Sequence, residues 1–131
     1  MGDTFIDLEM FEESIECFRK AIEADPNYKT SYNNLAFVYN KLKKYQEAIE
    51  CCHKAMALDP DYAHSFNHMA AALIGLGKYD EAVQACRKAI ALNENYAGGY
   101  RNLGVALWKL GKIEEASVNL GCSIKLNPTD L

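Results

Sequence analysis

A chain of 131 residues, half of them apolar, is long enough to bury one domain-sized core, and no apolar run approaches the roughly 18 residues of a membrane-spanning helix. Its net charge of −4 is uneven: residues 1–28 hold eight acids and two bases (−6), and the remainder ten acids and twelve bases (+2), so no basic stripe offers itself to nucleic-acid phosphates. The N-terminus, MGDTFIDLEM, is acidic where a secretory signal is basic and then apolar, and Ile6 stands where a myristoylation signal prefers Ser or Thr; the expectation is a cytoplasmic protein without a membrane partner.

Taken in chain order, residues 1–28 supply the end of one helix (Phe5, Leu8) and a whole second helix from Phe11 to Ala24, closed by DPNY. Residues 29–62, 63–96 and 97–131 then repeat one plan. Each opens with a helix: SYNNLAFVYNKL, SFNHMAAALIGL and GYRNLGVALWKL. Tyr32, Leu35, Ala36, Tyr39 and Leu42 recur 34 residues later as Phe66, Met69, Ala70, Leu73 and Leu76, and again as Tyr100, Leu103, Gly104, Leu107 and Leu110. Spacings of 3, 4 and 3 put them on one apolar stripe, with the small residue where a neighbouring helix comes close. A turn at Lys43, Gly77 or Gly111 leads into a second helix: YQEAIECCHKAMAL, YDEAVQACRKAIAL or IEEASVNLGCSIKL. Acidic residues at the start of these helices suit the positive end of the helix dipole. DPDY, NENY and NPTD close the units, and Pro26, Pro60 and Pro128 are placed to end one helix and prepare the next.

The five cysteines are odd in number and form no CxxC pair. Cys52 and Cys86 fill the slot that Phe18 and Leu120 occupy in sister units, which marks it as a core slot, and buried free thiols suit a reducing compartment.

A fixed 34-residue period of helix hairpins bearing an aromatic, Leu, small residue and Tyr, then Tyr, small, apolar, small and Asp-Pro, resembles the tetratricopeptide repeat. The resemblance covers essentially the whole chain. It implies an all-α, right-handed superhelical solenoid of about three and a half repeats, divided as a partial repeat over 1–28 and repeats over 29–62, 63–96 and 97–131.

The family also implies that the first helices line a concave groove and that the function is binding of a protein or peptide partner. Between the packing positions those helices carry Asn33, Asn34, Phe37 and Asn40, then Asn67 and His68, then Arg101, Asn102 and Trp108. Asn34, His68 and Asn102 stand 34 apart, and an amide both donates and accepts, so this ladder suits a peptide backbone of any sequence. The stretches YNNLA and YRNLG look like the repeat arm of O-linked N-acetylglucosamine transferase, which implies a second reading, a substrate-recruiting arm of a larger enzyme. The chaperone-tail carboxylate clamp of the family is not matched, since His64 and His68, or Gly98 and Asn102, fall where its lysine and arginine would be.

No GxSxG, phosphate loop or HExxH motif appears, so we expect no catalytic residue, no cofactor and no enzyme activity of the chain alone. His64 and His68 are four apart but lack further ligands, and a metal there is adventitious at most. The last unit replaces the surface pairs Glu16/Lys20, Glu50/Lys54 and Gln84/Lys88 with Val118 and Cys122, and the first unit lacks most of one helix, which should leave Phe11, Ile15 and Phe18 partly exposed. Phe11, Ile15, Val118 and Cys122 are therefore candidates for self-association, giving a third reading, an architectural module that forms a homodimer through its ends.

Overall fold

The computed structural model describes the backbone of residues 2–126 and side chains from residue 9 onward; Phe5 and Leu8 as side chains, and Pro128 altogether, lie outside the described residues. Seven α-helices follow one another: α1 (Gly2–Ala24), α2 (Lys29–Lys41), α3 (Tyr45–Leu58), α4 (Ala63–Gly75), α5 (Tyr79–Leu92), α6 (Ala97–Lys109) and α7 (Ile113–Leu126). There is no strand among the described residues. Among the described residues no helix is long and apolar enough to cross a membrane.

The turns inside the hairpins form where the period places them. Lys43, Gly77 and Gly111 adopt φ of 61°, 79° and 84°, the left-handed conformation that ends a helix and that glycine enters without a Cβ penalty. Glu9 is the residue in register with these three, and there the expected break is absent: α1 runs unbroken from Gly2 to Ala24. Neither Glu9 nor Met10 favours a left-handed turn, and glutamate is a good helix former, so the helix continues. Between units, Asp25, Asp59 and Asn93 each accept the backbone N–H two residues on, at 3.1–3.2 Å, tightening the linkers.

Consecutive helices pack on one another throughout, and α2, α4 and α6 also touch in series, whereas α1, α3, α5 and α7 do not meet. A layer whose helices touch is shorter than one whose helices splay, so the stack curves with α2, α4 and α6 on its inner side. The splayed outer side opens into wedges of about 380 Å³ between α1 and α3 and about 470 Å³ between α3 and α5. These recur in register: Arg19, Glu47 and Lys54 line the first, and their counterparts His53, Glu81 and Lys88 the second.

The core is a continuous strip. Leu35, Tyr39 and Cys52 belong to its first part, Leu73, Cys86 and Leu107 to its second, and Ile49 and Met69 pack on both. Ala36, Ala48, Ala70 and Ala82 are wholly buried, which is what close helix approach requires. In the last hairpin the partition changes: Gly104 replaces the alanine and Leu120 replaces the cysteine, and a Cβ on Gly104 would lie 2.6 Å from Leu120 Cγ. Burying one leucine such as Leu107 stabilises by about 1.5–3 kcal/mol, so the strip supplies most of the cohesion.

The first end is more closed than its sequence suggests. Ile15 is only 8% exposed, and Phe11 and Phe18 are half-buried against Leu35, Tyr39 and their neighbours, because one face of α1 lies directly on α2. Ile15 is therefore corrected from an exposed residue to a core residue. At the other end Val118 is exposed as expected, at 67%, whereas Cys122 is half-buried; Trp108 and Ile113 are exposed as well, at 55% and 51%.

Candidate groove on the inner helices

The inner layer holds a depression of about 260 Å³ where α2, α4 and α6 meet the start of α3. Phe37, Asn40 and Lys41 come from α2, Asn67, His68 and Ala71 from α4, Arg101 and Asn102 from α6, and Tyr45 from α3. Six of the nine groove residues expected from the sequence thus share one site: Phe37, Asn40, Asn67, His68, Arg101 and Asn102. Asn33, Asn34 and Trp108 lie outside it.

The asparagines differ from the expected free ladder. Asn33 and Asn67 are 8% and 6% exposed, since their position on each first helix faces the next unit rather than solvent. Asn67 is the hub of a polar stitch between units. Its Nδ2 donates to the Tyr96 hydroxyl at 3.2 Å, and its Oδ1 accepts from Asn102 Nδ2 at 2.7 Å. The Tyr96 oxygen also sits 2.7 Å from His64 Nδ1. Asn102 is therefore turned inward to Asn67, not held free for a ligand.

One unit earlier His68 replaces the counterpart of Asn102, and Asn33 Oδ1 is buried with no hydrogen-bond partner. Asn40 makes a different bond there, donating through Nδ2 to the His68 carbonyl at 3.0 Å. The His68 ring meets Phe37 edge-on at 6.0 Å between centroids, and burial, reinforced by nearby His64, lowers its pKa to about 4. Burial likewise lowers that of His64. Both imidazoles are neutral at pH 7. Among the described residues no group of three or more His, Cys, Asp or Glu side chains could hold a metal.

Of the three lining residues outside the expected set, Lys41, Tyr45 and Ala71, Tyr45 is the one that the repeat period hid. The period assigns it to the packing stripe of a second helix, yet its ring reaches the end of α4, where a Cβ on Gly75 would lie 2.3–2.6 Å from ring carbons. The signal was available: Gly75 stands where the sister helices carry Lys41 and Lys109, and only a missing side chain admits the ring.

Charge is partitioned by layer. Helices α2, α4 and α6 contain no Asp or Glu at all; every acid of the chain lies elsewhere. Their bases are Lys29, Lys41, Arg101 and Lys109. Lys29 is tied to Asp59 of the following linker and lies over the Tyr62 ring at 4.6 Å. Lys41 lies 5.3 Å from the Phe37 centroid and Lys109 5.3 Å from that of Trp108.

The thiols sort by burial. Cys17 is exposed and Cys122 half-buried, whereas Cys51, Cys52 and Cys86 are buried, and all five are free. Desolvation raises Cys51 to about 11 and Cys52 and Cys86 to about 12, so none of these three is a nucleophile near neutrality.

Comparison with known proteins agrees with this architecture. A tetratricopeptide repeat model matches residues 30–62, and a TPR repeat model matches residues 2–43 and 72–111. No curated protein sequence matches the chain. The first TPR of Spaghetti (RPAP3) bound to the HSP90 peptide SRMEEVD is 32% identical, with a TM-score of 0.73 over 79% of this chain and 82% of that one. A crystal structure of MamA is 27% identical, with a TM-score of 0.77 over 98% and 75%. TTC0263, a thermophilic TPR protein of Thermus thermophilus, shares the fold at a TM-score of 0.86 over 98% and 72%, with 21% identity. The repeat period, the three helix hairpins that follow α1 and these matches together establish that the chain belongs to the tetratricopeptide-repeat family.

Proposed function

We propose that this protein-interaction module holds an extended segment of a partner protein on its inner face, centred on the depression between Phe37, His68, Ala71 and Arg101. The observation that carries this reading is the convergence of six sequence-expected residues from three helices on one concave site. A peptide held there meets an aromatic edge, amides and two cations. The similar solved structure bound to an HSP90 peptide supports a peptide as the occupant. The free thiols favour a reducing compartment such as the cytoplasm.

The direct test is selection of a random 12-residue display library on the folded chain, followed by rebinding to Ala71→Arg. Ala71 is half-buried on the depression, so arginine there fills the site without cutting into the core. Binders should be lost on Ala71→Arg and weakened by Phe37→Ala while the far-UV circular dichroism is unchanged. Binders retained in full by both variants would refute the groove.

Exposed Val118, Ile113 and Trp108 favour a second, separable activity, self-association through the α7 end, with Cys122 at its margin. Sedimentation should show concentration-dependent dimers that Val118→Glu abolishes. A strict monomer at high concentration would remove this reading.

A further inference from the structure

The last unit departs from the repeat at three positions that share one face. Along the outer helices the period aligns Glu16, Arg19 and Lys20 with Glu50, His53 and Lys54, then with Gln84, Arg87 and Lys88, and all of these side chains are exposed. In α7 the same positions are Val118, Gly121 and Cys122, so the strip carries no charge and presents an exposed valine. A further hairpin would leave it in solvent, since α5 keeps Gln84, Arg87 and Lys88 exposed although α6 and α7 follow it. Gly121 is the telling member. Interior glycine destabilises a helix relative to alanine, and where the protomer itself needs a close approach, as at Gly75 and Gly104, a Cβ would strike a neighbouring side chain. At Gly121 a Cβ would meet nothing within 4 Å, so nothing inside the protomer calls for the glycine.

Resting on the self-association reading, we infer that α7 pairs antiparallel with α7 of a second copy of this chain, Val118 of each seated over Gly121 of the other. Glu114, Val118, Gly121 and Lys125 follow at spacings of 4, 3 and 4, one stripe along the helix. Seating Val118 on Gly121 of the second copy fixes the register, and that register brings Glu114 opposite Lys125 of the second copy on both sides of the crossing. Each such pair lies about 8 Å from the centre, at a rise of about 1.5 Å per residue. Glu114 and Val118 also share the wall of an open hollow of about 360 Å³ with Arg87, Glu115 and Asn119, so an incoming lysine meets two carboxylates and one guanidinium. A parallel pair would instead set Glu114 against Glu114 and Lys125 against Lys125, and like charges at a contact reject that arrangement. Two-fold pairing of one patch with itself is the commonest closed assembly.

The test is sedimentation of the whole chain and its variants over a range of concentrations. Gly121→Arg copies Arg87 of the sister unit and sends its side chain into open space, so the urea midpoint of the dilute monomer should hold or rise, yet dimerisation should weaken at least about tenfold. Glu114→Lys and Lys125→Glu, both at exposed positions, should each weaken the dimer about threefold to tenfold at low salt, and the two together should restore it to within about twofold. The charge-reversed chains keep Gly121, so they decide the geometry even where the arginine disturbs the helix. A dimer indifferent to Gly121→Arg, or charge reversals that the double variant does not rescue, would overturn the antiparallel pairing and leave self-association standing. A chain that stays monomeric at high concentration would overturn both.

Discussion

Gly104 and Leu120 form a matched pair whose exchange can be worked from geometry. The sister hairpins place alanine opposite cysteine (Ala36 with Cys52, Ala70 with Cys86), while the last places glycine opposite leucine. In Gly104→Ala the new methyl would stand 2.6 Å and 2.8 Å from Leu120 Cγ and Cδ2 and 3.2 Å from the Ala116 carbonyl. Overpacking of this kind costs about 1–3 kcal/mol, against roughly 1 kcal/mol regained in helix propensity, for a net loss near 1 kcal/mol. Leu120→Cys removes about two buried carbons at ~0.8 kcal/mol each, or about 1–1.5 kcal/mol for this half-buried side chain. Independent effects would sum to about 2–2.5 kcal/mol. The double variant instead recreates the sister geometry and keeps the propensity gain, so its loss should be within about 0.5 kcal/mol of zero and the coupling near 2 kcal/mol. Urea titrations followed by circular dichroism measure all four chains. A double variant whose loss equals the sum of the singles within about 0.5 kcal/mol would refute the idea that the pair is volume-matched.

Other expectations concern the polar stitch, the thiols and the groove. Asn67→Ala removes the side-chain partner shared by the Tyr96 hydroxyl and the Asn102 amide and should cost about 1–3 kcal/mol in the same titration, whereas Asn34→Ala, at the half-buried position outside the depression, should cost less than about 0.5 kcal/mol. At pH 8 a disulfide reagent should label Cys17 at once and Cys122 more slowly, with Cys51, Cys52 and Cys86 reacting only on unfolding. The folded pKa values of these three lie above the unfolded value of 9, so the unfolded chain releases protons first; stability should be full below about pH 9 and fall as pH rises towards 12. His68 has the opposite sense for pH: its folded pKa of about 4 lies below the ordinary 6.5, so stability should fall as pH drops from about 6.5 to 4, and His68→Asn should flatten that slope in urea midpoints taken at pH 7 and 5. Gly75→Lys, which copies the sister helices, should displace the Tyr45 ring, visible as shifted tyrosine resonances, and lower peptide affinity; unchanged resonances would show that the ring does not depend on the glycine.

The helix hairpins were legible because the apolar stripe, the left-handed turn residue and the Asx linker each recur at the same spacing. Cys52 and Cys86 illustrate how well the period reads a core: sharing a slot with Phe18 and Leu120 was enough, and both are buried. Asn33 and Asn67 show where it fails. A helical wheel tells which side of one helix is apolar, but it does not tell that the next unit covers a polar position on that helix, because the covering group, Tyr96 or Asn102, comes from about 30 residues away. The unbroken α1 has the same lesson in local form: the period marks where a turn would fall, and the chemistry of Glu9 decides that none forms. Tyr45 was hidden because a packing position in one unit became a groove position when its opposite number lost a side chain.

The polar stitch also sets how the solenoid bends. Units in such an array touch only their neighbours, so its elasticity resides in the joints. The α4–α6 joint is held by His64, Tyr96, Asn67 and Asn102 acting as a chain, while the α2–α4 joint has one cross-helix amide bond and an edge-on ring contact, leaves an Asn33 oxygen unsatisfied, and is clipped at its rim by Lys29 on Asp59 and the Tyr62 ring. The two joints are thus fastened differently, one by charge at its rim and the other by neutral groups through its interior, so added salt should loosen the first more than the second.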